Sequence, residues 1–268
     1  MQQKLTNHIN TKFPFLKDKK LLIAISGGVD SVVLTYLLSV LNFDISLAHC
    51  NFKLRGKESD LDEEFILKLG GKLNIKTFTT QFSTNKFAQK NKLSTQIAAR
   101  KLRYNWFESL VKKHQFDFVL TAHHADDNLE TFLINLTRGT GLDGLTGIPE
   151  INGNVVRPLI PFSRDEIIDF AKENHIKWRE DQSNASTKYI RNKIRHQVIP
   201  VLKEINPSVL ETFAKTTNHL KESQQILAEK KSEDFKESFI NEKKANFEKD
   251  VEIVKLKNSV QDLEIRYG

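Results

Sequence analysis

The run Ser26-Gly27-Gly28-Val29-Asp30-Ser31 limits what this chain can fold into more than any other feature. It lies between the apolar segment Leu21 to Ile25 and the apolar periodic segment Val32 to Leu41, which is the order strand, glycine turn, helix. Such a turn points a row of backbone N–H groups, and the positive end of a helix dipole, at one spot, and that spot suits phosphate. The spacing has neither a Gly-Lys-Ser/Thr ending nor a Gly-x-Gly-x-x-Gly period, so it is not one of the two common nucleotide-loop signatures. A plain capped turn needs one polar residue, whereas here two glycines are flanked by two serines and an aspartate.

With 268 residues the chain can form one α/β domain of ordinary size and a smaller appendage. No apolar run approaches the roughly 20 residues of a membrane span, and Met1 to Lys19 is polar and mixed in charge, without the apolar core of a secretory leader. A cytoplasmic protein with no membrane partner is expected. The single cysteine, Cys50, excludes an intrachain disulfide and a cysteine-based zinc site. Lys and Arg outnumber Asp and Glu by 41 to 34, a net charge of +7 that suits a polyanionic partner without demanding one.

Strand and helix signals alternate after the loop. Ile45 to His49, Ile75 to Phe82, Phe116 to Thr121 and Val155 to Ile160 read as strands; Leu61 to Leu73, Thr95 to Val111, Asp127 to Leu136 and Arg164 to Asn174 read as helices. Alternation of this kind predicts an α/β fold, a parallel Rossmann-like sheet covered on both faces with ligands at the carboxyl ends of its strands. His49 and His123 are expected at two of those ends. From Ile194 the strand signals stop, and the rest reads as helical, with a Lys/Glu-rich part from Glu229 to Asp250 that suits either a solvated helix or a linker. The division expected is 1–202 for the main domain and 203–268 for a helical linker or second domain. The chain stops at Gly268 without an evident terminating element, as expected of a short form or of a longer architecture lacking its C-terminal part.

A second cluster is Ala122-His123-His124-Ala125-Asp126-Asp127-Asn128-Leu129-Glu130-Thr131. With a helix starting near Asp126, Asp127 and Glu130 lie three apart and share a face. Carboxylates facing a phosphate loop suit magnesium, which takes a few carboxylate oxygens beside phosphate and water, so Asp30, Asp127 and Glu130 are the candidate ligands. His123 has three open roles: metal ligand, proton shuttle, or polariser of a substrate carbonyl.

These motifs stand in order with others: His49-Cys50-Asn51-Phe52-Lys53-Leu54-Arg55-Gly56, Ala99-Arg100-Lys101-Leu102-Arg103-Tyr104, Leu136-Thr137-Arg138-Gly139-Thr140-Gly141-Leu142-Asp143-Gly144-Leu145, Arg157-Pro158-Leu159, Asp181-Gln182-Ser183-Asn184 and Arg191-Asn192-Lys193-Ile194-Arg195. The loop resembles the pyrophosphate loop (PP-loop) of the ATP pyrophosphatases, and the whole set, over about residues 20 to 202, resembles the tRNA(Ile)-lysidine synthases. One departure is Cys50-Asn51-Phe52, where that family more often shows Val-Asn-His, so a role for a second histidine there is not carried over.

The resemblance implies an adenine nucleotide alpha hydrolase-like domain that uses ATP and Mg2+ on the CAU-anticodon isoleucine tRNA. ATP adenylates the C2 oxygen of the wobble cytidine, and the side-chain amine of free L-lysine displaces AMP. Ser26, Gly27, Gly28, Val29, Asp30 and Ser31 would hold the leaving pyrophosphate. Asp127 or Glu130 would take a proton from the lysine ammonium, and the Arg103 cation would hold phosphate or stabilise developing charge. Arg55, Arg191, Lys193 and Arg195 are the candidates for tRNA phosphates. The oligomeric state stays open, a homodimer included. Rival readings are a PP-loop base thiolase, which wants paired cysteines that this chain lacks; a small-molecule amidating synthetase, which leaves the basic segment 191–195 without purpose; and a silent RNA-binding module, which needs no carboxylates in register with a phosphate loop.

Overall fold

The computed structural model describes residues 1–180 and 190–231, together with positions 233, 236, 238, 243 and 249. The Asp181 to Asn184 motif and most of the Glu229 to Asp250 segment therefore lie outside the described residues. Residues Met1–Thr216 form one compact unit and Thr217–Gly268 another, in which the described residues 217–231 are helical.

The first unit opens with α1 (Gln2–Lys12), where the sequence suggested only a polar terminus; Leu5 and Ile9 face inward and are buried together with Phe13. Then follow β1 (Leu21–Ala24), α2 (Val29–Val40), β2 (Ile45–Asn51), α3 (Lys57–Leu73), β3 (Thr77–Gln81), α4 (Thr84–Lys90), α5 (Thr95–His114), β4 (Phe118–Leu120) and α6 (Ala125–Thr137). After a short α7 (Leu142–Leu145) come β5 (Ile151–Asn152), β6 (Val155–Val156) and α8 (Arg164–Glu173). Among the described residues the unit continues through α9 (Ile190–Lys193), a π-helical stretch (Ile194–Val198) and α10 (Ile199–Ile205).

The strands form one sheet in the order β3-β2-β1-β4-β6-β5, parallel except for the β5–β6 hairpin. The alternation along β1 explains how both faces are covered. Leu21 and Ile23 join the larger core with Val33, Leu37 and Phe170, while Leu22 joins Ala48, Phe107, Leu110 and Val119 on the α5 side. A third core packs Leu129 and Ile134 of α6 against Ile194, Ile199 and Phe213, which fixes the basic helical segment on α6.

Three features differ from the sequence reading. The strand expected over Val155 to Ile160 ends at Val156, because Pro158 has no N–H to continue a ladder and the Arg157 N–H bonds to the Glu150 carbonyl instead. The hairpin partner β5 turns back through Gly153-Asn154, with Gly153 at φ +58°. His49 stands inside β2, and His123 stands three residues beyond the end of β4.

Candidate active site

From β1 the chain steps outward to β2 and β3 on one side, then returns to β4 on the other. At such a switch point the loops leaving the two strands part and open a crevice at their carboxyl ends. The loop after β1 and the segment 121–124 after β4 are those two loops.

The first loop is tied internally. Ser31 Oγ donates to the Gly28 carbonyl (3.0 Å) and accepts from the Ser26 N–H (3.2 Å), and the two serine hydroxyls are 3.2 Å apart. Gly27 has φ +93°, a conformation that side chains rarely adopt, and its carbonyl accepts from the Arg179 N–H at 2.9 Å. Gly28 is the N-cap of α2 and no side chain caps that helix, so the first-turn amides of Val29, Asp30 and Ser31 are offered to an anion beside the dipole.

Across the crevice, α6 begins with a capping box. The His124 N–H donates to Asp127 Oδ2 (3.2 Å), and the Asp127 N–H donates to His124 Nδ1 (3.4 Å). With Nδ1 as acceptor, the ring proton sits on Nε2, which is 3.3 Å from Asp127 Oδ2 and 3.7 Å from Asp30 Oδ1. A buried imidazole thus stands between a carboxylate of the phosphate loop and one of α6. Burial pushes the Asp30 carboxyl up, with His124 opposing, and Asp30 Oδ1 is buried without a hydrogen-bond partner. Burial also pushes Asp127 up, but His124, His123 and Arg195 outweigh it and hold Asp127 below the ordinary value. His123 bonds Thr121 Oγ1 through Nδ1 (2.9 Å), and burial brings its pKa down to about 4.

Glu130 is fully buried and both its oxygens are held by Arg195, whose Nη2 also reaches Asp127 Oδ1 at 2.9 Å. Burial pushes the Glu130 carboxyl up against the pull of Arg195. Arg191 joins from the side, with Nη2 on Thr131 Oγ1 (2.9 Å) and Nε 3.8 Å from Glu130 Oε2. The sequence suggested alternate spacing for Arg191, Lys193 and Arg195. In the helical segment Arg191 and Arg195, four apart, share a face on Glu130, while Lys193 is exposed. Beside this cluster a cavity of about 320 Å³, lined in part by Asp126, Glu130, Arg164, Asp165, Arg195 and Lys203, has room for an amino acid.

No three His, Cys, Asp or Glu side chains converge into a metal cage among the described residues. Magnesium asks for less than a cage. Asp30, with its orphaned oxygen, fits a cation that shares oxygens with phosphate; Asp127, which takes Arg195 and the His124 N–H, and Glu130, bonded through both oxygens to Arg195, are engaged by these donors in this arrangement.

The remaining candidates lie apart from this centre. Arg103 on α5 is exposed, its guanidinium 5.2 Å from the Phe52 ring centroid, and Phe52 stacks on Phe82 with ring centroids 5.8 Å apart. Cys50 is half-buried, and burial pushes its thiol up to about 12. Arg55 bonds Asp62 at the start of α3. His49 is buried with Nδ1 on the Ile25 carbonyl at 3.0 Å.

The sequence reading missed His124 in favour of its neighbour. The signal was present, since an acidic residue three positions after a polar one at a helix start is the capping-box pattern. It also missed Asp126, which accepts the Arg164 N–H (2.8 Å) and pairs with Lys203 (2.8 Å), joining α6, α8 and α10; those partners lie 38 and 77 positions away, beyond any local pattern.

A parallel sheet with a glycine loop after its first strand, facing an Asp and His cluster at the switch point, defines a PP-loop protein, and the family model for the PP-loop domain matches residues 1–202. A tRNA(Ile)-lysidine synthase of Bacteroides thetaiotaomicron is 44% identical over 220 residues, covering 82% of this chain and 52% of the relative. One of Petrotoga mobilis is 36% identical over 216 residues, covering 79% of this chain and 69% of the relative. The chain belongs to the tRNA(Ile)-lysidine synthase family. It spans about half the length of several curated relatives that it matches. Among solved structures, a U34-tRNA thiolase from Methanococcus maripaludis with its 4Fe–4S cluster shares the fold, with a TM-score of 0.66 at 17% identity over 82% of this chain and 79% of the other.

Proposed function

We propose that the chain is the PP-loop part of an ATP-dependent carbon–nitrogen ligase. It joins free lysine to C2 of the wobble cytidine in the CAU-anticodon isoleucine tRNA through an adenylated base, releasing AMP and pyrophosphate. The observation that carries this reading is the meeting of an uncapped, glycine-built phosphate loop with Asp30, His124 and Asp127 across the switch point, in a member of this family. Residues 1–202 form the catalytic part and 203–268 a helical linker or second domain, and the enzyme works in the cytoplasm; no helix among the described residues is long and apolar enough to cross a membrane.

In the first step the amides of Gly28 to Ser31 and the hydroxyls of Ser26 and Ser31 hold the pyrophosphate as it leaves. Asp30, with Asp127 as the second candidate ligand, would hold magnesium, which would offset the pyrophosphate charge. The His124 Nε2–H stands between the two carboxylates, 3.3 Å from Asp127 Oδ2 and 3.7 Å from Asp30 Oδ1. His123 stays neutral at physiological pH, so it acts as a hydrogen-bonding group beside the base. In the second step the lysine amine must lose a proton, and the candidates to take it are Asp127 and Glu130, both bound to Arg195; burial pushes Glu130 up, while His124, His123 and Arg195 hold Asp127 down. Arg103 remains the candidate cation for phosphate on the α5 side, and exposed Lys193 a contact for tRNA phosphates. Arg55, Arg191 and Arg195 act at the edge of the tRNA surface while bound to Asp62, Glu130 and Asp127.

The test is transfer of labelled lysine to a CAU-anticodon isoleucine tRNA transcript with ATP and magnesium, beside a methionine tRNA control. Label on the isoleucine tRNA alone is expected. No label on either tRNA, from folded chain that binds ATP, sinks the reading for these 268 residues.

A further inference from the structure

We propose that Arg179 is a positioning residue of the phosphate loop: its side chain, clamped on α3, fixes its own backbone N–H on the Gly27 carbonyl and so keeps the Gly28 amide turned toward the bound phosphates. The inference rests on reading this loop as the ATP site.

Residues 176–180 have no regular secondary structure, so side-chain anchors decide where this strap runs. Arg179 supplies them. Its Nε bonds Asp62 Oδ1 and its Nη2 bonds Glu58 Oε2 at 2.7 Å, while Arg55 takes the second oxygen of Asp62. The Asp62 side chain is only 9% exposed, and a buried carboxylate between two guanidinium groups is a fixed point rather than a loose surface pair. Lining up Arg179 on α3 brings its amide to 2.9 Å from the Gly27 oxygen. Ile66 and Phe65 of the same helix back the loop, within 3.6 and 3.7 Å of where a Gly27 side chain would begin.

The consequence follows from peptide geometry. In a trans peptide the carbonyl of one residue and the N–H of the next point opposite ways. Holding the Gly27 carbonyl on the strap therefore holds the Gly28 N–H on the inner side of the loop, where it lies 3.3 Å from Ser26 Oγ. Because the 27–28 peptide is flanked by two glycines, little steric resistance prevents it from turning over. Once flipped, the loop presents a carbonyl oxygen to phosphate where it had presented a donor. Two contacts oppose this flip: the Gly28 N–H on Ser26 Oγ, which is local to the loop, and the Arg179 amide on the Gly27 carbonyl, which nothing in the Ser26 to Ser31 pattern supplies.

The test compares the full chain with Arg179→Ala, measuring ATP and pyrophosphate affinity by calorimetry with magnesium and tRNA affinity by filter retention. Loss of one well-placed charge-assisted donor predicts affinities for ATP and pyrophosphate about tenfold weaker. tRNA affinity should stay within about twofold, since one partly neutralised cation contributes little to phosphate binding as a whole. Unchanged ATP affinity overturns the proposal, and so does an equal loss for ATP and tRNA, which would mark a general loosening of the fold. Arg179→Gln covers the case in which the alanine variant does not fold; wild-type ATP affinity in a folded Arg179→Gln protein overturns the assignment equally. A wild-type chain that binds tRNA but neither ATP nor pyrophosphate refutes the nucleotide reading itself, a distinct result.

Discussion

Replacing Arg195 with alanine removes both hydrogen bonds to a fully buried carboxylate, that of Glu130, and one to Asp127. Two negative charges are then left facing each other, with Arg191 the nearest described cation, 3.8 Å from Glu130. Breaking a buried pair by deleting one partner costs about 3–5 kcal/mol. At about 2–4 °C per kcal/mol for a domain of this size, the melting temperature should fall by roughly 6–20 °C. The loss depends on pH in a definite direction. Burial already places the Glu130 carboxyl above its ordinary value, and without Arg195 it moves further up. An acid with a raised folded-state pKa binds more protons folded than unfolded, so its contribution to stability declines as pH rises through that interval. The deficit of Arg195→Ala should thus be smaller at about pH 5 than at about pH 8, and adding Glu130→Gln should recover most of it. Thermal unfolding followed by circular dichroism at both pH values measures this. A deficit below about 1 kcal/mol at the higher pH, or one independent of pH, would refute the buried-pair argument.

Asp30→Asn removes a buried charge whose Oδ1 lacks a hydrogen-bond partner, so it should keep or raise the melting temperature while AMP formation is lost; wild-type turnover would remove Asp30 from the metal site. His123 is kept neutral down to about pH 4, whereas its ordinary value is 6.5. Its contribution to stability is therefore complete above 6.5 and is lost as pH falls toward 4, on the order of 2–3 kcal/mol, and a His123→Gln chain should show a flatter pH profile in urea titrations. Gly147 has φ +74°, and a side chain there would meet Asn128 Oδ1 at 2.2 Å, so Gly147→Ala should cost about 2 kcal/mol or more. Gly153→Ala, at φ +58° with open space around it, should cost about 1 kcal/mol; equal losses would show that the Asn128 clash is relieved.

The sequence announced the parts whose physics is local. The glycine loop, the strands β1 to β4 and the helices over α2, α3, α5, α6 and α8 follow from period and turn chemistry within about 15 residues. Helix α1 escaped because only Leu5 and Ile9 mark its inner face, and α4 because seven residues are too few for a period to show. In the site, Asp30, Asp127 and Glu130 were legible as residues, but their division of labour was not. That Glu130 is bound to Arg195 is a contact across 65 positions, set by the packing of Ile194 and Ile199 on α6. The Arg179 strap, joined to Glu58 over 121 positions, was out of reach for the same reason.

The state of Cys50 governs what sulfur can do in this chain. A thiol pushed to about 12 carries almost no thiolate at neutral pH, and thiolate is the form that attacks disulfides, accepts oxidants and reacts with alkylating probes. The native chain should be indifferent to reductant, and a cysteine introduced at an exposed position would take a maleimide dye with little competition from Cys50. The fold can therefore be fitted with single-site reporters without first deleting its own cysteine, and Cys50 itself is a poor carrier for activated sulfur.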